Sequence, residues 1–111
     1  MAYLRKEKET VEIAYSLSRV WAAIPKALTS LEWILEQIDN TAHHVKVKTK
    51  AGAMSWSSVL LIDAVPVDEK TTRVSVSAET PVTAITAIVD FGRTRQRIDL
   101  FFAALAKQLA T

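Results

Sequence analysis

The sequence predicts an α+β domain: a two-layer sandwich of about five antiparallel strands on two helices, ordered β-α-β-β-β-β-α with a long C-terminal helix. Three observations carry that prediction. His43–Lys50 and Thr71–Glu79 alternate apolar and polar residues with the period of a half-buried strand. Ile98, Phe101, Phe102, Leu105 and Leu109 recur three and four apart, the spacing of one helix face. The stretches between successive strands are too short to hold the crossover helices that a parallel sheet requires.

Each element has its own signature. Residues 1–8, half of them charged, read as a flexible N-terminal extension of a single domain spanning 1–111. From Thr10 to Tyr15, Val11, Ile13 and Tyr15 share one face of a strand. Ser16 or Ser18 can cap the helix that follows, because a short hydroxyl side chain accepts from the unpaired amides of a first turn. Val20, Trp21, Ile24, Ala27, Leu28 and Leu31 form its apolar stripe. Pro25 lies within that stripe and predicts a kink or break, since it removes one helical hydrogen bond and crowds the preceding turn.

Glu32–Ile38 alternates again, with Trp33, Leu35 and Gln37 on one face. Asp39-Asn40-Thr41 supplies turn chemistry before His43–Lys50 returns as the second arm of a hairpin. Within that arm His43, Val45, Val47 and Thr49 face one way, and His44, Lys46, Lys48 and Lys50 the other. After the turn at Ala51-Gly52-Ala53, Ser55–Val65 is apolar on both faces, and Pro66 is expected to end it. Thr71–Glu79 directs Thr72, Val74, Val76 and Ala78 inward, and Pro81 is expected to break it. Val82–Val89 fits either a strand or a short turn of helix in an irregular crossing. Asp90-Phe91-Gly92 then opens the last helix, with Asp90 as its cap.

Composition narrows the function classes. Among 111 residues half are hydrophobic, enough for a core without a staple, and the absence of cysteine excludes disulfides and thiol nucleophiles. No apolar run approaches the ~20 residues of a membrane helix, and the charged start is no signal peptide, so the cytoplasm is the expected location. His43 and His44 are neighbours and point to opposite faces of a strand, so they cannot share a metal. Glycine is too scarce for a phosphate loop or a nucleophile elbow, and the aspartates are scattered. These residues imply no catalytic site, metal or cofactor, and point away from an enzyme.

Two surfaces stand out. Lys46, Lys48 and Lys50 on one strand face, with Arg93 and Arg97 one helical turn apart, form a candidate basic patch for phosphates. Fourteen basic residues against 12 acidic ones do not favour nucleic acid. On the nominally open sheet face, Ile34, Val59, Leu61 and Val65 are too apolar for water and suggest an interface in a homo-oligomer.

The segment Ser16-Leu-Ser-Arg-Val-Trp-Ala-Ala-Ile24 resembles the opening of the first helix in START-like, helix-grip domains. The order of elements is similar too. The chain is shorter, and looks closer to small bacterial and archaeal domains of unknown function, in which a step like Asp90-Phe91-Gly92-Arg93 leads into the last helix. The resemblance implies a scaffold for binding or assembly and assigns no site residues. The leading expectation is a non-enzymatic binding or assembly module, a homo-oligomer using the open sheet face and a groove between the last helix and the sheet. The alternatives are a small apolar-ligand-binding protein or enzyme of helix-grip type, with a pocket lined by Trp56, Phe91 and Tyr15, and weak nucleic-acid binding through the basic patch.

Overall fold

The alternating segments assemble into a single five-stranded sheet of β1 (Ala2–Ile13), β2 (Ile34–Asp39), β3 (His44–Lys48), β4 (Val59–Asp68) and β5 (Thr71–Thr83). Spatial order is β1-β5-β4-β3-β2, and every neighbouring pair is antiparallel. Helix α1 (Leu17–Ser30) joins β1 to β2, and α2 (Arg93–Leu109) follows β5. The computed structural model describes residues 2–49, 58–83 and 93–110, with side chains described for 7–49, 58–79 and 95–110.

Alternation decides which face is dry. Val45, Val47, Leu60, Ile62, Ala64, Val74, Val76 and Ala78 point to one side of the sheet and are buried. Val20, Ile24, Ala27 and Leu28 of α1, with Ile98, Phe101, Leu105 and Leu109 of α2, close over them. Helix α1 lies against β2, β4 and β5, α2 against β1 and β5, and the helices pack on one another. This is the two-layer α+β arrangement expected from the sequence.

Helix α1 starts where Ser16 accepts a hydrogen bond from the Arg19 amide, and it ends in a Schellman motif. Trp33 N–H donates to the Leu28 carbonyl and Glu32 N–H to that of Thr29, with Glu32 in the left-handed region at φ 59°. That terminus consumes Glu32 and Trp33, so β2 begins at Ile34. A register shift between Leu35 and Gln37 then places Leu35 and Ile38 opposite the inward Val47 and Val45, and Gln37 opposite the outward Lys46. The expected shared face of Leu35 and Gln37 is therefore replaced by opposite faces.

Three prolines sit inside elements that were expected to stop or bend at them. Helix α1 runs unbroken through Pro25, which sits on the exposed side, so only one backbone bond is lost. Strand β4 passes Pro66 to Asp68, accommodating it beside a register shift, as strands commonly do. Strand β5 passes Pro81 to Thr83, in a stretch beyond Glu79 where its described partner is β1 alone. That stretch also corrects the expected N-terminal extension. From Ala2 the chain is strand, paired residue by residue with β5 as far as Ile13↔Thr72. Its charged side chains carry no alternation to read, because backbone pairing along a sheet edge does not require one. Of the ambiguous Val82–Val89 segment, Val82 and Thr83 are the end of β5. Residues 84–92, with the rest of that segment and the Asp90 cap, lie outside the described residues.

Candidate functional site

An apolar groove of about 330 Å³ runs between the inner face of β1 and helix α2. Val11, Ile13 and Tyr15 line one wall, and Phe102, Ala106 and Leu109 the other. The first three share a face through the period of two. The second three fall four and three apart, beside the fully buried row of Ile98, Phe101 and Leu105. Strand β1 is an edge strand, so the side of α2 turned to it is covered by one strand with no further strand beyond. A gap opens there.

Polar groups close both ends. At one end Arg95 Nη2 donates to Glu9 Oε1 at 2.5 Å, and Arg95 Nε lies 3.6 Å from Asp99 Oδ1 one turn on. The Glu9 carboxylate lines the groove already paired. At the other end the Arg19 guanidinium sits 4.7 Å above the centre of the Tyr15 ring and donates to the Leu109 carbonyl at 3.4 Å. Tyr15 is fixed by its backbone. Its N–H donates to the Ile13 carbonyl, and its carbonyl accepts from Thr72 Oγ1 at 2.9 Å. The ring is thereby held at the mouth, sandwiched between cation and groove.

Of the three expected pocket residues, Tyr15 lines this groove, while Trp56 and Phe91 lie outside the described residues. Val11, Ile13, Phe102 and Leu109 were expected only as the apolar faces of their elements, and Ala106 was not singled out. Their adjacency is a contact between the two ends of the chain, for which a local pattern carries no signal.

The expected basic patch is not one surface. Lys46 and Lys48 stand on the outer sheet face, opposite Leu61 and Val59. Arg97 comes from α2 on the other side of the sheet and donates through Nη1 to Ser58 Oγ. Ser58 and Thr49 are buried polar groups that also bond each other's backbone, Ser58 N–H to Thr49 Oγ1 at 2.8 Å and Thr49 N–H to the Ser58 carbonyl. Lys50 and the Arg93 side chain lie outside what is described.

The outer face is a ladder of mixed rungs. Lys46, Leu61, Ser77 and Lys8 align across four strands, as do His44, Asp63, Ser75 and Thr10. Asp63 Oδ1 lies 2.6 Å from His44 Nδ1, a hydrogen bond in the tautomer that carries its proton there, and Arg73 pairs with Glu12 at 3.0 Å. Val59 and Leu61 are half-buried among these neighbours. Ile34 and Val65 are 58% and 50% exposed. The four residues expected as an interface thus form an interrupted line, with Asp63 between Leu61 and Val65.

The hairpin β2–β3 is tied to α1 by Trp21. Its Nε1–H donates to Asn40 Oδ1 at 3.0 Å, and its ring meets His43 edge-on at 5.0 Å. Asp39 Oδ1 accepts from the Thr41 and Ala42 amides, chiefly Ala42, which holds its carboxyl below the usual carboxylate range. His43 itself takes φ 53° in the turn, one residue before β3. Among the described residues, no cluster of three or more histidines or carboxylates is placed to hold a metal, and no helix is long and apolar enough to cross a membrane.

No family profile matches the sequence, and neither does any curated protein. Solved structures do match its fold. Norcoclaurine synthase of Thalictrum flavum, as a point mutant with a transition-state analogue, superposes with a TM-score of 0.75 at 15% identity. That match covers 99% of this chain and 96% of the other. The same enzyme in complex with dopamine and hydroxybenzaldehyde gives 0.71 at 14% identity, covering 98% of this chain and 88% of that one. The Zhui aromatase/cyclase of a Streptomyces species gives 0.68 at 10% identity, over 96% and 94%. Ara h 8.0201 gives 0.64 at 8% identity, over 98% and 100%. At these identities the likeness speaks for architecture: a START-like, helix-grip arrangement of one antiparallel sheet and a long C-terminal helix.

Proposed function

We propose that this helix-grip domain binds a small apolar molecule in the groove between β1 and α2. The observation that carries the reading is the groove itself: six apolar or aromatic residues around about 330 Å³, with its one carboxylate neutralised by Arg95. That volume lies at the small end of the ~300–1,000 Å³ typical of ligand sites. A two-ring body burying about 300 Å² would gain roughly 7 kcal/mol before association costs. The presence of aromatic ligands in a structure of similar fold supports the choice of ligand class.

The groove supplies burial and shape rather than acid–base chemistry, because Glu9 is paired and the remaining walls are hydrocarbon and one phenol. We rank assembly through the outer sheet face second. Its apolar line is broken by Asp63 and bordered by Lys46 and Lys48. Light scattering tests that second reading, which requires a dimer weakened by Leu61→Lys.

The test of the groove is a fluorescence titration with uncharged phenylnaphthylamine, which brightens in apolar surroundings. Wild type should saturate. Ala106→Trp, placing an indole in the groove from an exposed rim position, should weaken binding about tenfold or more with the fold intact. Equal binding by both proteins would refute the site.

A further inference from the structure

The geometry points to a ligand that is an amphipathic organic anion, with its apolar body in the groove and its anionic head in a second, basic depression beside it. This inference rests on the groove reading and specifies its ligand class. The second depression, of about 270 Å³, lies between α1 and the end of α2, lined by Ser18, Arg19, Ala22, Lys26, Gln108 and Leu109 among others. Leu109 belongs to both depressions, so they adjoin across one side chain.

Its electrostatics are one-sided. Arg19 and Lys26 are seven residues apart, two turns along one face of α1, with the small Ala22 and Ala23 between them as a floor. Helix α1 carries no carboxylate anywhere in Leu17–Ser30, and neither cation has an acidic partner among the described residues. The Ser18 hydroxyl, hydrogen-bonded to that of Ser16 at 3.3 Å, also lines it, and Ser18 and Arg19 belong to the first turn of α1, the positive end of the helix dipole.

Arg19 is the hinge between the two depressions. Its guanidinium face rests on Tyr15, a groove wall, and one N–H reaches the Leu109 carbonyl at the long distance of 3.4 Å. A guanidinium has five N–H donors, so others remain to receive an oxyanion without disturbing the Tyr15 contact. An uncharged molecule would fill the groove and leave Arg19 and Lys26 in water. A molecule bearing a carboxylate, sulfonate or phosphate at the edge of its apolar body would engage both.

A matched pair of dyes reads the two halves separately: uncharged phenylnaphthylamine and its sulfonated counterpart, anilinonaphthalene sulfonate. On wild type at low salt the sulfonate should bind roughly five- to tenfold tighter, the scale of two solvent-accessible ion contacts. That advantage, taken as the ratio of the two affinities within each sample, should fall to about onefold in Arg19→Gln/Lys26→Gln and in about 1 M salt, and partway in Lys26→Gln alone, where the neutral dye binds as it does to wild type. Both substitutions are at exposed positions, and a thermal melt followed by circular dichroism verifies the fold. A sulfonate with no advantage, or one that survives the double substitution, overturns this inference and leaves the groove standing. A neutral dye that fails to bind wild type overturns both.

Discussion

Asp39 shows how much of this molecule's order is set by single polar atoms. Its carboxylate accepts two turn amides, and that pairing lowers its pKa from 3.8. A carboxyl whose folded pKa is depressed stabilises the fold above the unfolded value, and the contribution disappears as pH falls through the folded value. Asp39→Ala should therefore melt below wild type at neutral pH. The gap should close as the melts are repeated at pH values below about 3.8. A gap independent of pH would mean that the turn does not use the carboxylate. Trp21 is a second such residue. Its indole N–H bond to Asn40 was not readable from a helical stripe that marked Trp21 simply as apolar. Trp21→Phe keeps an aromatic ring, removes the donor, and should cost about 1 kcal/mol in denaturant melts.

At the scale of elements, α2 has two jobs on two adjacent residues. Phe101 is fully buried against the sheet, whereas Phe102 is half-buried at the groove wall. Phe101→Ala should cost about 3–5 kcal/mol, a large part of the ~5–15 kcal/mol that holds a domain folded. Phe102→Ala should cost distinctly less and change dye binding instead. Similar losses for both would show that the helix is rotated from the position described. The stripe of α2 was legible because burial on one face imposes a period. So were β3 and the first part of β5, where Val45, Val47, Val74 and Val76 alternate with polar residues. The first half of β1 was not, since Arg5-Lys6-Glu7-Lys8 pairs through its backbone at an edge and needs no apolar face. Nor was the survival of strands past Pro66 and Pro81, which depends on register shifts and on where a neighbouring strand stops.

At the scale of the whole molecule, the groove exists because the sheet ends. Strand order places β1 at an edge beside β5, and α2 crosses that edge with Phe102, Ala106 and Leu109 lining the gap beside it. Residues 9–15 and 95–109 meet only through this topology, so although a groove between the last helix and the sheet was expected, its lining could not be assembled from a sequence in which Glu9 and Arg95 are 86 positions apart. The same topology separates Arg97, on the helical side, from Lys46 and Lys48 on the outer face.

Backbone amide shifts recorded by NMR during titration with phenylnaphthylamine test the groove most directly. Shifts confined to Val11, Ile13, Tyr15, Phe102, Ala106, Leu109 and their immediate neighbours are expected. Shifts centred on Val59, Leu61 and Val65 of the outer face, or no saturable shifts at all, would contradict it.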